Sequence, residues 1–334
     1  MILISGGTGL IGGHLLLLLS KAKEPIRAIY RSQSKLENVK TLFKNQNNDN
    51  FDKIQWIKAN LLDLPSLERA FEGVTKVYHC AGLISFDPNS YKQLRKVNID
   101  GTANLVNLCI ANKIEKLAFI SSIAVFGGQT LEKEINENSY WNPEAENNVY
   151  AIAKYGAEME VWRATQEGVP VVIVNPGVVL GEGFKDSASS TIFQHIEKGL
   201  SYYPPGSTGF VDVKDVCRAI HLLMESTIYN QRYILVGALL KYKTVLSQIA
   251  AKLGRKAPGK ELKKWQLKLL WRLDALVTFV CRKERLLSRH SAQSLWSTSQ
   301  YSSNKIIKDL KFEFTDISTT IERICNTLKI EKEN

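Results

Sequence analysis

Ile2-Leu3-Ile4-Ser5-Gly6-Gly7-Thr8-Gly9-Leu10-Ile11-Gly12 decides the fold. A short β-prone run leads straight into a glycine-rich turn, and the turn opens the apolar segment Leu10–Ser20, which has helical character. Gly6, Gly9 and Gly12 form Gly-x-x-Gly-x-x-Gly. The first permits a tight turn, the second lets backbone approach a pyrophosphate, and the third allows close helix–strand contact. The helix start, with the amides around Thr8, Leu10 and Ile11, then offers free N–H groups and a positive dipole end to phosphates. Strand, turn and helix in that order predict a dinucleotide-binding unit.

Moving outward, β-rich runs alternate with helical ones. Strands are expected at 25–30, 54–57, 76–80, 117–121 and 169–175, with helices at 91–111 and 149–167. Such alternation implies an α/β fold: a doubly wound parallel sheet covered on both faces. Val171-Val172-Ile173-Val174 suits a strand buried on both sides. Residues 44–52 are expected to form a surface loop, and the glutamate-rich stretch 130–148 the rim of the ligand crevice. After residue 176 the alternation breaks down. The expected organisation is a Rossmann domain over 1–175, to which 210–236 returns. A smaller, mostly helical substrate cap would come from 176–209 and 237–330.

The second strand ends at Tyr30-Arg31-Ser32. An acid at that point would accept hydrogen bonds from the ribose 2′-OH of NAD. None is present, and Arg31 with Lys35 nearby can neutralise a 2′-phosphate instead. NADP(H) is therefore the preferred cofactor, with NAD(H) left open.

Tyr150-Ala151-Ile152-Ala153-Lys154 begins a helix, so Tyr150 and Lys154 share one face. The lysine is expected to lower the phenol's pKa from its usual ~10 and so fit it for proton transfer. Ser121 and Ser122 end the fifth strand at the crevice edge, where a hydroxyl can bind the same substrate oxygen.

The order Gly-rich turn, Ser-Ser-x-x-Val-Phe-Gly (121–127), Tyr-x-x-x-Lys resembles the extended short-chain dehydrogenase/reductase family, also called the NAD-dependent epimerase/dehydratase family. The resemblance spans about residues 1–240. Val77–Gly82, Val97–Thr102, Asn175–Gly181 and Phe210–Val216 resemble further family segments. By resemblance, Ser122, Tyr150 and Lys154 become the catalytic set. Asn60, Leu61, Cys80, Ala81, Gly82, Asn98, Ser121, Pro176, Gly177, Val178 and Val179 become cofactor neighbours, with Tyr150 and Lys154 themselves. Departures are Asn60 for a common Asp, Phe126 for a frequent Tyr and Ala153 for a frequent Ser. The form of 208–213 is similar to the dihydroflavonol-reductase and 3β-hydroxysteroid-dehydrogenase branch. That branch implies an NADP(H)-dependent oxidoreductase acting on an apolar or ring-containing carbonyl substrate. A nucleotide-sugar epimerase or dehydratase with tightly bound NAD(P) is the alternative, and a non-catalytic NADP-binding regulator the third.

The net charge of +11 sits in the last third: residues 1–240 carry 24 Lys/Arg against 24 Asp/Glu, residues 241–334 carry 20 against 9. Apolar residues at 262, 265, 269, 273, 276 and 280 mark one helix face. They are expected to pack on the core, or else to make the basic segment 262–285 a peripheral membrane contact. No recognition motif for nucleic acid accompanies the charge. Five scattered cysteines without a Cys-x-x-Cys pair, and no basic n-region at the start, predict reduced thiols in the cytoplasm. The histidines form no cluster with carboxylates, so no metal is expected. A homodimer is an expectation taken from the family.

Overall fold

A computed structural model describes residues 1–126, 134–267, 269, 271, 272, 274 and 293–333. Gly127, the start of the acidic loop and most of the basic segment beyond residue 267 therefore lie outside the described residues.

Seven parallel strands form the main sheet: β1 (Ile2–Ser5), β2 (Ile26–Tyr30), β3 (Gln55–Lys58), β4 (Lys76–His79), β5 (Lys116–Ile120), β6 (Val171–Pro176) and β10 (Gln231–Leu235). Their order is β3-β2-β1-β4-β5-β6-β10. The sequence turns back between β1 and β4, which opens a crevice at the strands' carboxyl ends. Alternate residues of each strand feed opposite cores. Ile2 and Ile4 join Val172 and Val174 in one, while Leu3 joins Val171 and Ile173 in the other. Helices α1 (Leu10–Leu19), α2 (Leu36–Asn45) and α8 (Val213–Glu225) cover the first face. Helices α3 (Leu64–Phe71), α5 (Gly101–Ala111) and α6 (Val149–Gln166) cover the second. The short α4 (Tyr91–Leu94) runs into α5 through one π-helical stretch, Arg95–Asp100.

A smaller body forms beyond the crevice. Strands β7 (Val178–Leu180), β9 (Ser207–Asp212) and β11 (Ala238–Lys241) make a three-stranded sheet; β8 (Tyr202–Tyr203) pairs with β12 (Lys260–Glu261). Helices α7 (Ala188–Glu197), α9 (Tyr242–Lys252) and α11 (Ile317–Glu333) close a third core around Phe193, Ile249 and Ile321.

Three sequence expectations change in detail. Residues 44–52 are largely folded: α2 continues to Asn45, Asn48 caps a 3-10 turn by accepting from the Asn50 amide at 2.9 Å, and Phe51 packs on Trp56. Within 210–236, β10 joins the main sheet, but Phe210–Asp212 belong to the small one. Residues 304–312, expected in the cap, instead pack on the main body. Helix α10 (Asn304–Leu310) places Ile306 in the core beside Phe312, and Asp309 accepts from the Tyr233 hydroxyl at 2.8 Å. Burial of two large apolar side chains outweighs sequence proximity to the cap.

Candidate functional site

The glycines of the first turn differ in what they make room for. Gly6 has φ of 71°, and a Cβ on it would lie 2.5 Å from the Ala81 amide nitrogen. Its lack of a side chain is an internal demand of the β1–α1 turn where it meets the chain leaving β4. A Cβ on Gly12 would run into the Gly6 carbonyl. Gly9 is different: its φ of −98° is ordinary, and a Cβ there would meet only the Gly6 oxygen at 3.4 Å. Nothing inside the chain requires glycine at 9, which leaves an open approach to the start of α1. No side chain caps that helix start. An uncapped N-terminus and an unfilled approach together fit an anionic group such as a pyrophosphate. Thr8, Leu10 and Ile11 flank this approach.

Arg31 and Lys35 are exposed just past β2, and among the described residues neither forms an ion pair. Asn60 is exposed too; its Oδ1 accepts from the Leu62 amide at 3.2 Å, while Leu61 is buried and its carbonyl accepts from Asn104 at 2.8 Å.

Across the crevice, β4 runs into Cys80-Ala81-Gly82. His79 is fully buried, with Nδ1 2.6 Å from Ser5 Oγ and Nε2 2.9 Å from Thr102 Oγ1. Burial pushes its pKa down to about 3, with Lys154 adding to the shift. Burial likewise pushes the Cys80 thiol up to about 12. Asn98, in the π-helical stretch, clamps the next loop: Oδ1 accepts from the Leu83 amide at 2.7 Å and Nδ2 donates to the Leu83 carbonyl at 3.0 Å. A Cβ on Gly82 would lie 3.7 Å from Asn98 Oδ1 and 3.9 Å from Lys154 Nζ. Gly82 thus floors a space bounded by Asn98 and Lys154.

Helix α6 begins at Val149 because Asn148 Oδ1 accepts from the Ala151 amide at 2.8 Å. That start sets Tyr150 and Lys154 on the inward face. Ser122 follows β5; its Oγ accepts from the Ala124 amide at 3.2 Å, and its hydroxyl is close enough to the Tyr150 phenol to oppose the upward shift of that group's pKa. Phe86 stands edge-on to Tyr150, with ring centroids 5.4 Å apart. Ser122, Tyr150 and Lys154 therefore meet at the carboxyl ends of β4 and β5, where Gly82 and Asn98 also lie. On the β6 side, Pro176 is buried, and Gly177, Val178 and Val179 are half-buried, with the Gly177 amide donating to Leu235 at 3.0 Å.

Two findings correct the sequence reading. The Tyr150 pKa lies above its ordinary value, not below it. Lys154 Nζ donates to the Ile120 carbonyl at 2.8 Å and lies 4.4 Å from the Phe119 ring centroid. Burial dominates and pushes Tyr150 up to about 12, with Ser122 alone opposing it. Lys154 itself is pushed down to about 8 by burial, against the pull of Glu158. Second, the Ser121 hydroxyl faces away from the crevice and donates to the buried Glu158 carboxylate at 2.5 Å.

Sequence reasoning missed Glu158, Arg232 and Phe86 as neighbours of the site. Glu158 alone carried a usable signal: it follows Lys154 by one further helical turn on the same face.

Comparison with known proteins bears on the family and the fold. The model of the NAD dependent epimerase/dehydratase family matches residues 2–237. Tetraketide alpha-pyrone reductase 2 of Arabidopsis thaliana is 30% identical over 258 residues, covering 73% of this chain and 80% of that protein. Cinnamoyl-CoA reductase CAD2 of Medicago truncatula is 25% identical over 258 residues, covering 74% and 78%. The fold is shared with UDP-glucose 4-epimerase of Thermotoga maritima, with a TM-score of 0.78, 17% identity and 99% of each chain covered. Motifs, sheet order and relatives converge on one conclusion: the chain belongs to the NAD dependent epimerase/dehydratase family.

Proposed function

We propose that this protein is an NADP(H)-dependent carbonyl reductase, working on an apolar or ring-containing substrate. The observation that carries the reading is the meeting of the Ser122 hydroxyl, the Tyr150 phenol and the Lys154 ammonium beside the open floor at Gly82. The α1 N-terminus and Gly9 would hold the pyrophosphate, Asn98 and Lys154 the ribose side, and Pro176–Val179 the nicotinamide side. When bound, the nicotinamide supplies the hydride. The chain's own residues supply the rest. Ser122 donates a hydrogen bond to the carbonyl oxygen and fixes it within reach of Tyr150. Tyr150 gives that oxygen its proton as the alcohol forms. A phenol held near 12 remains fully protonated at neutral pH, which suits an acid in the reducing direction. Lys154 supports the phenolate left behind until solvent restores the proton.

Arg31 supports the preference for NADP(H), because it is exposed at the end of β2 with no acid beside it in sequence. Exposed Phe86, edge-on to Tyr150, puts apolar surface beside the phenol and supports an apolar substrate over a charged sugar nucleotide. The cinnamoyl-CoA and pyrone reductases among the relatives favour the same choice over the epimerase. The test is a panel of aldehydes, ketones and thioesters with NADPH and NADH. Stoichiometric NADPH consumption is the expected result. Tightly held, non-exchanging cofactor with no net consumption would refute it in favour of the epimerase.

A further inference from the structure

Helix α6 presents three polar residues at successive turns of one buried face: Tyr150, Lys154 and Glu158. Glu158 has no solvent exposure at all. A carboxylate in such a place is tolerated only when each oxygen is engaged. Here Oε2 accepts from Ser121 Oγ at 2.5 Å and Asn175 Nδ2 at 2.9 Å. Oε1 accepts from Arg232 Nη1 at 3.1 Å and Trp162 Nε1 at 3.3 Å. The donors outside α6 come from the end of β5, from β6 and from β10. Asn175 Nδ2 also reaches the Ser122 carbonyl at 3.2 Å, and Lys154 Nζ reaches the Ile120 carbonyl at 2.8 Å. The strand end is thus tied to α6 directly at Ile120 and Ser121, and at Ser122 through Asn175.

We propose that Glu158 is a positioning residue of this active site: its carboxylate clamps the Ser121–Ser122 strand end to α6 and supplies the negative charge that the neighbouring Lys154 amine faces. The proposal deepens the reductase reading and rests on its assignment of Ser122, Tyr150 and Lys154.

The groups facing Lys154 are few. Tyr150 and Glu158 come from its own helix, and His79 and Cys80 from the end of β4. Burial keeps Tyr150, His79 and Cys80 neutral at pH 7. Glu158 is left as the charge that opposes desolvation of the ammonium. Arg232, which faces Glu158 from β10, also donates to the Glu137 carbonyl at 2.7 Å and the Ser139 carbonyl at 2.9 Å. The same carboxylate therefore ties the described part of the acidic loop to the catalytic strand end.

A purely structural Glu158 would affect stability alone. Lysine-selective NMR of the full chain separates the two roles without any substrate, the Lys154 signal being assigned by its loss in Lys154→Arg. The wild-type signal should titrate near pH 8. In Glu158→Gln the midpoint should fall by about one unit, while Glu158→Asp and Ser121→Ala, which keep the charge, should leave it in place. An unmoved midpoint in Glu158→Gln overturns the proposal. With any carbonyl the wild type reduces, Ser121→Ala and Glu158→Asp should lower kcat about tenfold, about 1.4 kcal/mol, with KM and NADPH affinity within about twofold. Unchanged kcat in both overturns the clamp. A wild type that reduces no carbonyl sinks the proposed function, and the Lys154 titration still decides the role of Glu158.

Discussion

Gly6 and Gly9 stand three residues apart in one motif, and alanine should affect them in opposite ways. At Gly6 the alanine must hold φ near 71° and fit a Cβ 2.5 Å from the Ala81 nitrogen and 2.7 Å from its Cα. The left-handed conformation costs about 1–2 kcal/mol for a residue with a Cβ. The overlap is with backbone, so β1 and β4 must shift apart, and a total loss of ~3 kcal/mol or more is expected. At Gly9 the backbone conformation is ordinary and the Cβ meets only one oxygen, at 3.4 Å. Reduced freedom of the unfolded chain stabilises alanine by about 0.4–1 kcal/mol. The poorer helix cap opposes it by a similar amount, so melting should stay within about 3 °C of the wild type. Binding is where Gly9→Ala acts. The added methyl stands in the approach to the α1 amides and should remove one or two charge-assisted hydrogen bonds, about 1.5–3 kcal/mol each. NADPH affinity should fall roughly 100-fold, about 2.7 kcal/mol. Thermal melting without cofactor and a fluorescence titration with NADPH measure the two quantities. A Gly9→Ala protein that melts like the wild type and binds NADPH equally well refutes the assignment of this turn to the dinucleotide.

Further outcomes follow from the same geometry. Tyr150→Phe should lower kcat at least 10²-fold with NADPH binding within about twofold; near-normal turnover in the NADPH-oxidation assay would remove Tyr150 from the mechanism. Arg31→Ala should weaken NADPH at least tenfold while leaving NADH within about twofold, read by parallel titrations. His79 stays neutral in the fold with its pKa near 3, but in the unfolded chain it takes up a proton below its ordinary 6.5. Its contribution to stability is therefore present above pH 6.5 and is lost as pH falls toward 3, by about 1.4 kcal/mol per unit; denaturant titrations should show that slope weakened in His79→Gln. Trp265 and Leu269, expected to face the core, are 61% and 48% exposed beside exposed Lys263 and Lys264. The chain is expected to sediment with anionic vesicles at low salt and not with neutral ones, and Trp265→Ser should weaken this; equal recovery with both vesicle types would refute the membrane contact.

The sheet was legible because strands buried on both faces leave a plain trace. Val171–Val174 has no room for polar residues, and Ile2–Ser5 is followed at once by its turn. The helix of Tyr150 and Lys154 was legible because the two residues repeat at one turn. The Glu158 network was not. Ser121, Glu158, Asn175 and Arg232 lie on four elements, and each looks ordinary in its own segment. Its place one turn beyond Lys154 puts Glu158 on the inward face of the helix but not beside its partners, since only β10, added late in the chain, brings Arg232 against it. The direction of the Lys154 side chain was hidden for a similar reason. Spacing fixes which face a residue occupies, and the Ile120 carbonyl at the strand end fixes where its ammonium goes. Packing of 304–312 on the main body was missed because its apolar residues, Ile306, Ile307, Leu310 and Phe312, do not say which of the cores they join.

A similar buried cluster joins the two bodies. Arg323 of α11 binds Asp212 at 2.7 and 2.9 Å and Glu182 at 3.1 and 3.2 Å, and Thr320 adds a hydrogen bond to Asp212 at 2.7 Å. Asp212 and Glu182 are almost wholly buried, and burial alone would raise both carboxyls. Arg323 instead holds Asp212 below its usual range, and His14, then Arg323 and Lys214, hold Glu182 below it. Asp212 also caps α8 through the Lys214 amide at 2.8 Å. The last helix is therefore anchored to the residues that link β9 to the main body. Removing the guanidinium leaves buried Asp212 without its cation and Glu182 with Lys214 alone at 3.6 Å, and Arg323→Met should cost about 3–5 kcal/mol. Because both carboxyls are depressed in the fold, the stability they contribute is present above the ordinary carboxylate range and is lost as pH falls through it. The variant should accordingly lose most stability near neutral pH and approach the wild type in acid. A uniform deficit across that range would mean that α11 is held by its apolar face, through Ile317, Ile321 and Ile324, and that the ion cluster is incidental.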